Sequence, residues 1–230
     1  MRNKYLPVMS IAMAGTLAVG MAASTAHAGN ILLNGNFSTA DATTSTGAAD
    51  WNSVLGLGAG TTGSVTRLTG AGAYTGDTAY LEMTGTGAGG AGSYVAATNT
   101  TTAGTITPGT NYTLSFEANG TNGISGVNGF ILGFFNSSGG KVGQASGTLA
   151  LTSAYQLFSV SGAAPTGASY AEAIVHLSMG AVAGDTGKIN IDDVSINSPA
   201  VPEPGVLGTL ALGGLGMLLI GRKRVIRRTA

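Results

Sequence analysis

Between residues 29 and 200 the apolar residues come in short runs rich in Val, Ile, Tyr, Phe and Thr, separated by glycine-rich turns, and no helix-period stripe is present. That pattern predicts an all-β sandwich. The runs place strands over Ile31–Phe37, Ser64–Leu68, Ala79–Thr84, Ser93–Thr98, Tyr112–Ala118, Gly129–Asn136, Lys141–Leu149, Tyr155–Val160, Ala171–Met179 and Lys188–Ile196. The clearest is Tyr112–Ala118, where Tyr112, Leu114 and Phe116 share one face and Thr113, Ser115 and Glu117 the other. Pro108-Gly109 just before it is a turn signal, because proline presets one dihedral and glycine accepts a positive φ. From Thr39 to Gly63 hydrophobic residues thin out, which predicts a long surface loop around Asp50-Trp51-Asn52.

The two ends differ from this body. Arg2 and Lys4 open the chain, an apolar stretch runs over Leu6–Ala23, and Ala26-His27-Ala28 has the form of a cleavage site, so residues 1–28 are expected to be a secretory signal peptide. Residues 29–197 would then form the sandwich and 198–205 a linker holding Pro202, Glu203 and Pro204, whose prolines keep it extended. An apolar run over 206–221 follows, expected as a transmembrane helix, and residues 222–230 form a basic end with Arg222, Lys223 and Arg224. As a helix, the stretch Val206–Ile220 spans roughly 22 Å at about 1.5 Å per residue, so insertion needs snorkelling arginines and local thinning of the bilayer. The basic end should stay in the cytoplasm, which places the body outside.

This order of motif, short apolar span and arginine-rich end resembles the PEP-CTERM sorting signal of Gram-negative bacteria. The resemblance implies recognition of Pro202-Glu203-Pro204 by an exosortase-type enzyme in the inner membrane. It also implies export through the secretory pathway to the cell surface, outer membrane or extracellular matrix, after an inner-membrane intermediate.

The formal net charge of zero hides an asymmetry, because seven of the ten basic residues lie in the two end segments. Residues 29–200 keep Arg67, Lys141 and Lys188 against nine carboxylates, a balance of −6. Phosphate backbones need clustered Lys and Arg, so this composition argues against nucleic-acid binding. The chain has no cysteine, so an exported domain must hold together by packing, hydrogen bonds or a metal ion.

Asn30-Ile31-Leu32-Leu33-Asn34-Gly35-Asn36-Phe37, Gly76-Asp77-Thr78-Ala79-Tyr80-Leu81, the block Pro108–Phe116 and Ile189-Asn190-Ile191-Asp192-Asp193-Val194 occur in an order that resembles jelly-roll carbohydrate-binding modules with a galactose-binding-like fold. The resemblance implies a two-sheet antiparallel sandwich whose first and last strands meet. It also implies a structural calcium near that junction, with Asp192 and Asp77 as ligands and no other cofactor, although Ser38 stands where the family usually has Glu. Sugar rings stack on aromatic faces, which makes Trp51, Tyr74, Tyr80 and Tyr94 the candidate platforms. Asn52, Asn99 and Glu117 are candidate hydroxyl partners. The alternative for Trp51 is a plug over the end of the core.

Two other motifs carry less. Gly85-Thr86-Gly87-Ala88-Gly89-Gly90 spells G-x-G-x-x-G, but a strand follows it rather than the helix that would hold a pyrophosphate. The body holds one histidine, His176, in an apolar strand, and Glu82, Glu117 and Glu172 are scattered carboxylates. The expected function is therefore that of a non-enzymatic, exported surface or matrix protein that binds extracellular polysaccharide. A structural protein or adhesin without a saccharide site is the alternative, and a weak glycan-active enzyme is the third reading.

Overall fold

The computed structural model describes residues 29–89, 92–122, 126–180 and 182–199. The expected signal peptide, the Pro-Glu-Pro element, the apolar run over 206–221 and the basic end lie outside the described residues. The described chain is all-β. Its strands are β1 (Asn52–Gly56), β2 (Thr62–Thr69), β3 (Ala79–Ala88), β4 (Ser93–Thr100), β5 (Asn111–Thr121), β6 (Gly129–Phe135), β7 (Lys141–Thr148), β8 (Gln156–Ala163), β9 (Tyr170–Met179) and β10 (Ala183–Asn197). Two five-stranded antiparallel sheets, ordered β1-β4-β9-β6-β7 and β2-β3-β10-β5-β8, stack as a jelly-roll sandwich.

Alternation builds the core. In β5, Tyr112, Leu114, Phe116 and Ala118 are buried while Thr113, Ser115 and Glu117 face out. In β9 the buried set is Ala171, Ala173, Val175, Leu177 and Met179. Phe116 meets Phe130 of the opposite sheet edge to face at 5.1 Å, which ties the layers together. β2, β3 and β10 carry Gly63, Gly85 and Gly187 in one row, and a Cβ on Gly63 would lie 2.3 Å from Val95 Cγ2. A Cβ on Gly85 would lie 2.3 Å from Met179 Sδ, so glycine lets the sheets approach closely there.

Nine of the ten expected strands are present, and the exceptions are informative. Ile31–Phe37 is not a strand. Asn30 Oδ1 accepts from Leu32 N and Ile196 N, and the Asn34 side chain bonds Thr39 and Ala49, while Asn34 and Phe37 adopt positive φ. Side-chain amides thus replace ladder partners and bend the segment. It still lies along the end of β10, through Ile31 N to Ile196 O and Val194 N to Gly35 O. The expected loop 39–63 contains β1, which pairs with β4 from Asn52↔Thr98 to Gly56↔Tyr94.

Candidate functional site

The outward face of the β1-β4-β9-β6-β7 sheet is an open trough. Along β9 the outward residues are Tyr170, Glu172, Ile174, His176 and Ser178, on the face opposite the buried set. Register sets Tyr94 and Ala96 of β4 against Ser178 and His176, and Ile131 and Phe135 of β6 against Ile174 and Tyr170. The groove has a volume of about 760 Å³ and reaches from Val54 and Tyr94 to Glu172. β6 places Gly129 and Gly133 beneath the His176 and Phe135 rings.

Aromatic rings stand toward both ends of this sheet face, one within the groove and a pair beyond it. Tyr94 is 39% exposed, and its ring lies over Gly56 of the neighbouring strand, where a Cβ would sit 2.3 Å from Cε1. At the other end Phe135 and Tyr170 stack at 5.3 Å with their planes 9° apart. The eight steps along β9 from Tyr170 to Ser178, the partner of Tyr94, set the backbones at these positions roughly 27 Å apart at about 3.4 Å per residue.

The groove is electrically quiet. Burial pushes the Glu172 carboxyl above the usual carboxylate range, partly opposed by Lys141. Burial also pushes His176 below the usual histidine value, so the ring is neutral at pH 7. The Ser178 hydroxyl lies 3.4 Å from His176 Nδ1. The arrangement offers flat aromatic faces, an aliphatic floor and few polar atoms. It suits a long neutral ligand better than a small charged one.

Of the four expected platforms only Tyr94 lies in this groove. Trp51 is fully buried; its Nε1 donates to Asn34 O at 3.0 Å and its ring packs on Phe37 at 5.0 Å. It is the plug over the core end, because the Asn34 turn offers a carbonyl that only an inward-pointing indole reaches. Tyr80 is buried, and Tyr74 packs edge to face on Tyr155 at 5.5 Å. Asn99 is also buried and donates to Leu33 O, whereas Asn52 is exposed at the β1 edge. Glu82 and Glu117 lie in the other sheet on either side of β10, with Glu82 ion-paired to Lys188. Two strand spacings and an offset of two residues separate their backbones by roughly 12 Å. Glu172 faces out from the opposite layer and so shares no sheet with Glu82 or Glu117.

The residues the sequence did not single out are Ile131 and Ile174 in the groove and the Phe135–Tyr170 stack beyond it on the same face. Their signal was the strict alternation of β9, whose outward set holds an aromatic and an isoleucine that the core does not use.

A second cluster sits on the outer side of the other sheet. Asp192 follows the row that pairs with β3, and the loop Gly70–Thr78 folds over it. Its Oδ2 accepts from Tyr74 N at 2.9 Å and its Oδ1 from Asp193 N at 2.9 Å. Tyr155 Oη donates to Gly72 O and pins the loop. Burial pushes the Asp192 carboxyl up to about 7 against those two hydrogen bonds, and the charges of Asp77 and Asp193 push the same way. Ligand atoms of Asp77, Asp192 and Asp193 lie within 4.8 Å of one another. Three hard oxygens this close, one of them on an enclosed carboxylate surrounded by negative charge, fit a hard cation such as calcium. Asp193 joins the pair named from the sequence because a bulge between Asp192 and Ser195 gives it a φ of 50°.

No protein-family model matches the chain, and no curated protein matches its sequence. Among solved structures it is similar to the enzymatically active domain of tailspike protein 4 of bacteriophage CBA120, with a TM-score of 0.54 and 17% identity over 74% of this chain and 21% of that one. It is similar to the arabinose-bound α-L-arabinofuranosidase MgGH51, with a TM-score of 0.52 and 18% identity over 76% of this chain and 27% of that one. A third is the family 11 carbohydrate-binding module of the cellulase Lic26A-Cel5E of Clostridium thermocellum, with a TM-score of 0.46 and 14% identity over 74% and 95% of the two chains. The chain thus spans about a fifth of the tailspike domain and about a quarter of the arabinofuranosidase. At these identities the likeness concerns the fold alone.

Proposed function

We propose that this protein binds polysaccharide along the open face of the β1-β4-β9-β6-β7 sheet, without catalysing its cleavage. The observation that carries this reading is the trough itself, with the Tyr94 ring at one end and the Phe135–Tyr170 stack on the same sheet face beyond Glu172. Sugar C–H faces stack on such rings, and an exposed tyrosine laid flat over glycine presents one broad face to solvent. The similar solved structures include an arabinose-bound arabinofuranosidase, which sets the ligand class to try first. The test is affinity electrophoresis of the chain in a panel of neutral and acidic polysaccharides. Retardation in at least one neutral polymer, weakened about tenfold by Tyr94→Ala, is the expected result. If no polysaccharide retards the parent chain, the structural or adhesive reading replaces this one.

The ends suit an exported cargo. On this proposal residues 1–28 are removed on export, and Pro202-Glu203-Pro204 is read by an inner-membrane exosortase-type enzyme while Arg222, Lys223 and Arg224 hold the tail in the cytoplasm. Intact-mass measurement of the cell-associated protein should show a shortened tail in cells holding the processing enzyme and the full tail in cells without it. An intact tail in both strains would overturn the sorting proposal.

The Asp77, Asp192 and Asp193 cluster is proposed to hold a structural calcium. Its part is to tie the loop Gly70–Thr78 to β10, away from the groove.

A further inference from the structure

We propose that the middle of the groove receives the O-acetyl groups of a neutral polysaccharide, a ligand class that rests on the glycan-binding reading above. Between its aromatic ends the trough changes character. Val54 is 43% exposed, Val127 at the rim is 69% exposed, and Ile131 and Ile174 lie side by side in register on the floor. Sugar hydroxyls gain nothing from such a surface, since covering them with isoleucine strips their water without a replacement hydrogen bond. A methyl group, by contrast, gains from every bit of aliphatic area it covers.

Two register rows from the isoleucines and on the same face, His176 lies over Gly129, where a Cβ would sit 2.8 Å from Nε2. The Ser178 hydroxyl lies 3.4 Å from Nδ1, and the tautomer in which it donates there puts the ring proton on Nε2 beside Gly129, the arrangement this proposal requires. Burial keeps this ring neutral at pH 7. A hydrogen-bond donor beside an aliphatic patch matches an acetyl ester, which carries an acceptor carbonyl, a methyl group and no charge. Charge selects the rest of the polymer. Glu172 is the carboxylate in the groove, and residues 29–200 carry a balance of −6, so a chain of uronic acids is repelled.

The experiment titrates the full chain with acetylated glucomannan and with the same polymer after alkaline deacetylation. Deacetylation should weaken binding about fourfold for each acetyl group the groove holds. Ile174→Thr, which keeps the branched shape on a half-buried outer position, should erase that difference while leaving the melting temperature unchanged. Equal affinity for the two polymers, or a preference that survives Ile174→Thr, overturns the acetyl assignment and leaves glycan binding intact. Failure to bind either polymer or any other polysaccharide overturns both.

Discussion

Trp51→Ala should lower the unfolding free energy by about 3–5 kcal/mol, the range for deleting a buried large aromatic. The indole is enclosed, packs on Phe37 at 5.0 Å and donates to Asn34 O at 3.0 Å. Its loss opens a cavity under the Asn34 turn and leaves that carbonyl without its partner. Domains of this kind are stable by about 5–15 kcal/mol, so the variant stands near the unfolding threshold. Trp51→Phe separates the two contributions: it keeps most of the ring contact and should cost about 1 kcal/mol for the hydrogen bond. Urea unfolding followed by circular dichroism measures both, because the chain has no second tryptophan to report by fluorescence. A stable Trp51→Ala protein that has lost polysaccharide binding would instead make Trp51 a ligand contact.

The second large effect is a pH dependence centred on Asp192. Its folded pKa of about 7 stands above the ordinary value of 3.8. The folded protein therefore keeps a proton that the unfolded chain releases. Stability from this group is fully present below pH ~4 and is lost as pH rises through 7, by on the order of 4 kcal/mol. Denaturation in chelator should show that decline between pH 4 and 7, and Asp192→Asn should flatten it. Calcium bound at Asp77, Asp192 and Asp193 holds the carboxylate ionised and reverses the slope. At 100 times its Kd the ion adds about 2.7 kcal/mol at neutral pH. Identical curves with and without calcium would remove the ion from the proposal while leaving the proton linkage in place.

The parts of the fold that follow from alternation were legible in the sequence. Tyr112, Leu114 and Phe116 face the core as their spacing requires, because a strand has period two and a sandwich has one dry side. Ile31–Phe37 misled because its apolar residues suggest a strand, whereas the amides of Asn30 and Asn34 take over the backbone partners. β1 was hidden for the opposite reason. Asn52-Ser53-Val54-Leu55-Gly56 is short and glycine-ended, and it is an edge strand held by β4 alone.

The site was legible only at Tyr94. A lone tryptophan in a polar loop reads as an exposed platform until the Asn34 carbonyl is known to lie behind it. Phe135 and Tyr170 stand 35 positions apart in sequence and become one stack only through the β6–β9 register, which no local pattern reveals. The carboxylate cluster was half visible, since Asp77 and Asp192 carry the family likeness while Asp193 enters through a bulge.

The most direct measurement of the open face as the binding surface is a polysaccharide titration of Gly56→Ala beside the parent chain. This substitution keeps every aromatic residue and forces the Tyr94 ring off its seat, since the new methyl carbon would lie 2.3 Å from Cε1. Binding weakened about tenfold, as in Tyr94→Ala, with an unchanged melting temperature, is the expected result. Undiminished binding by both variants would place the saccharide on another surface and contradict it.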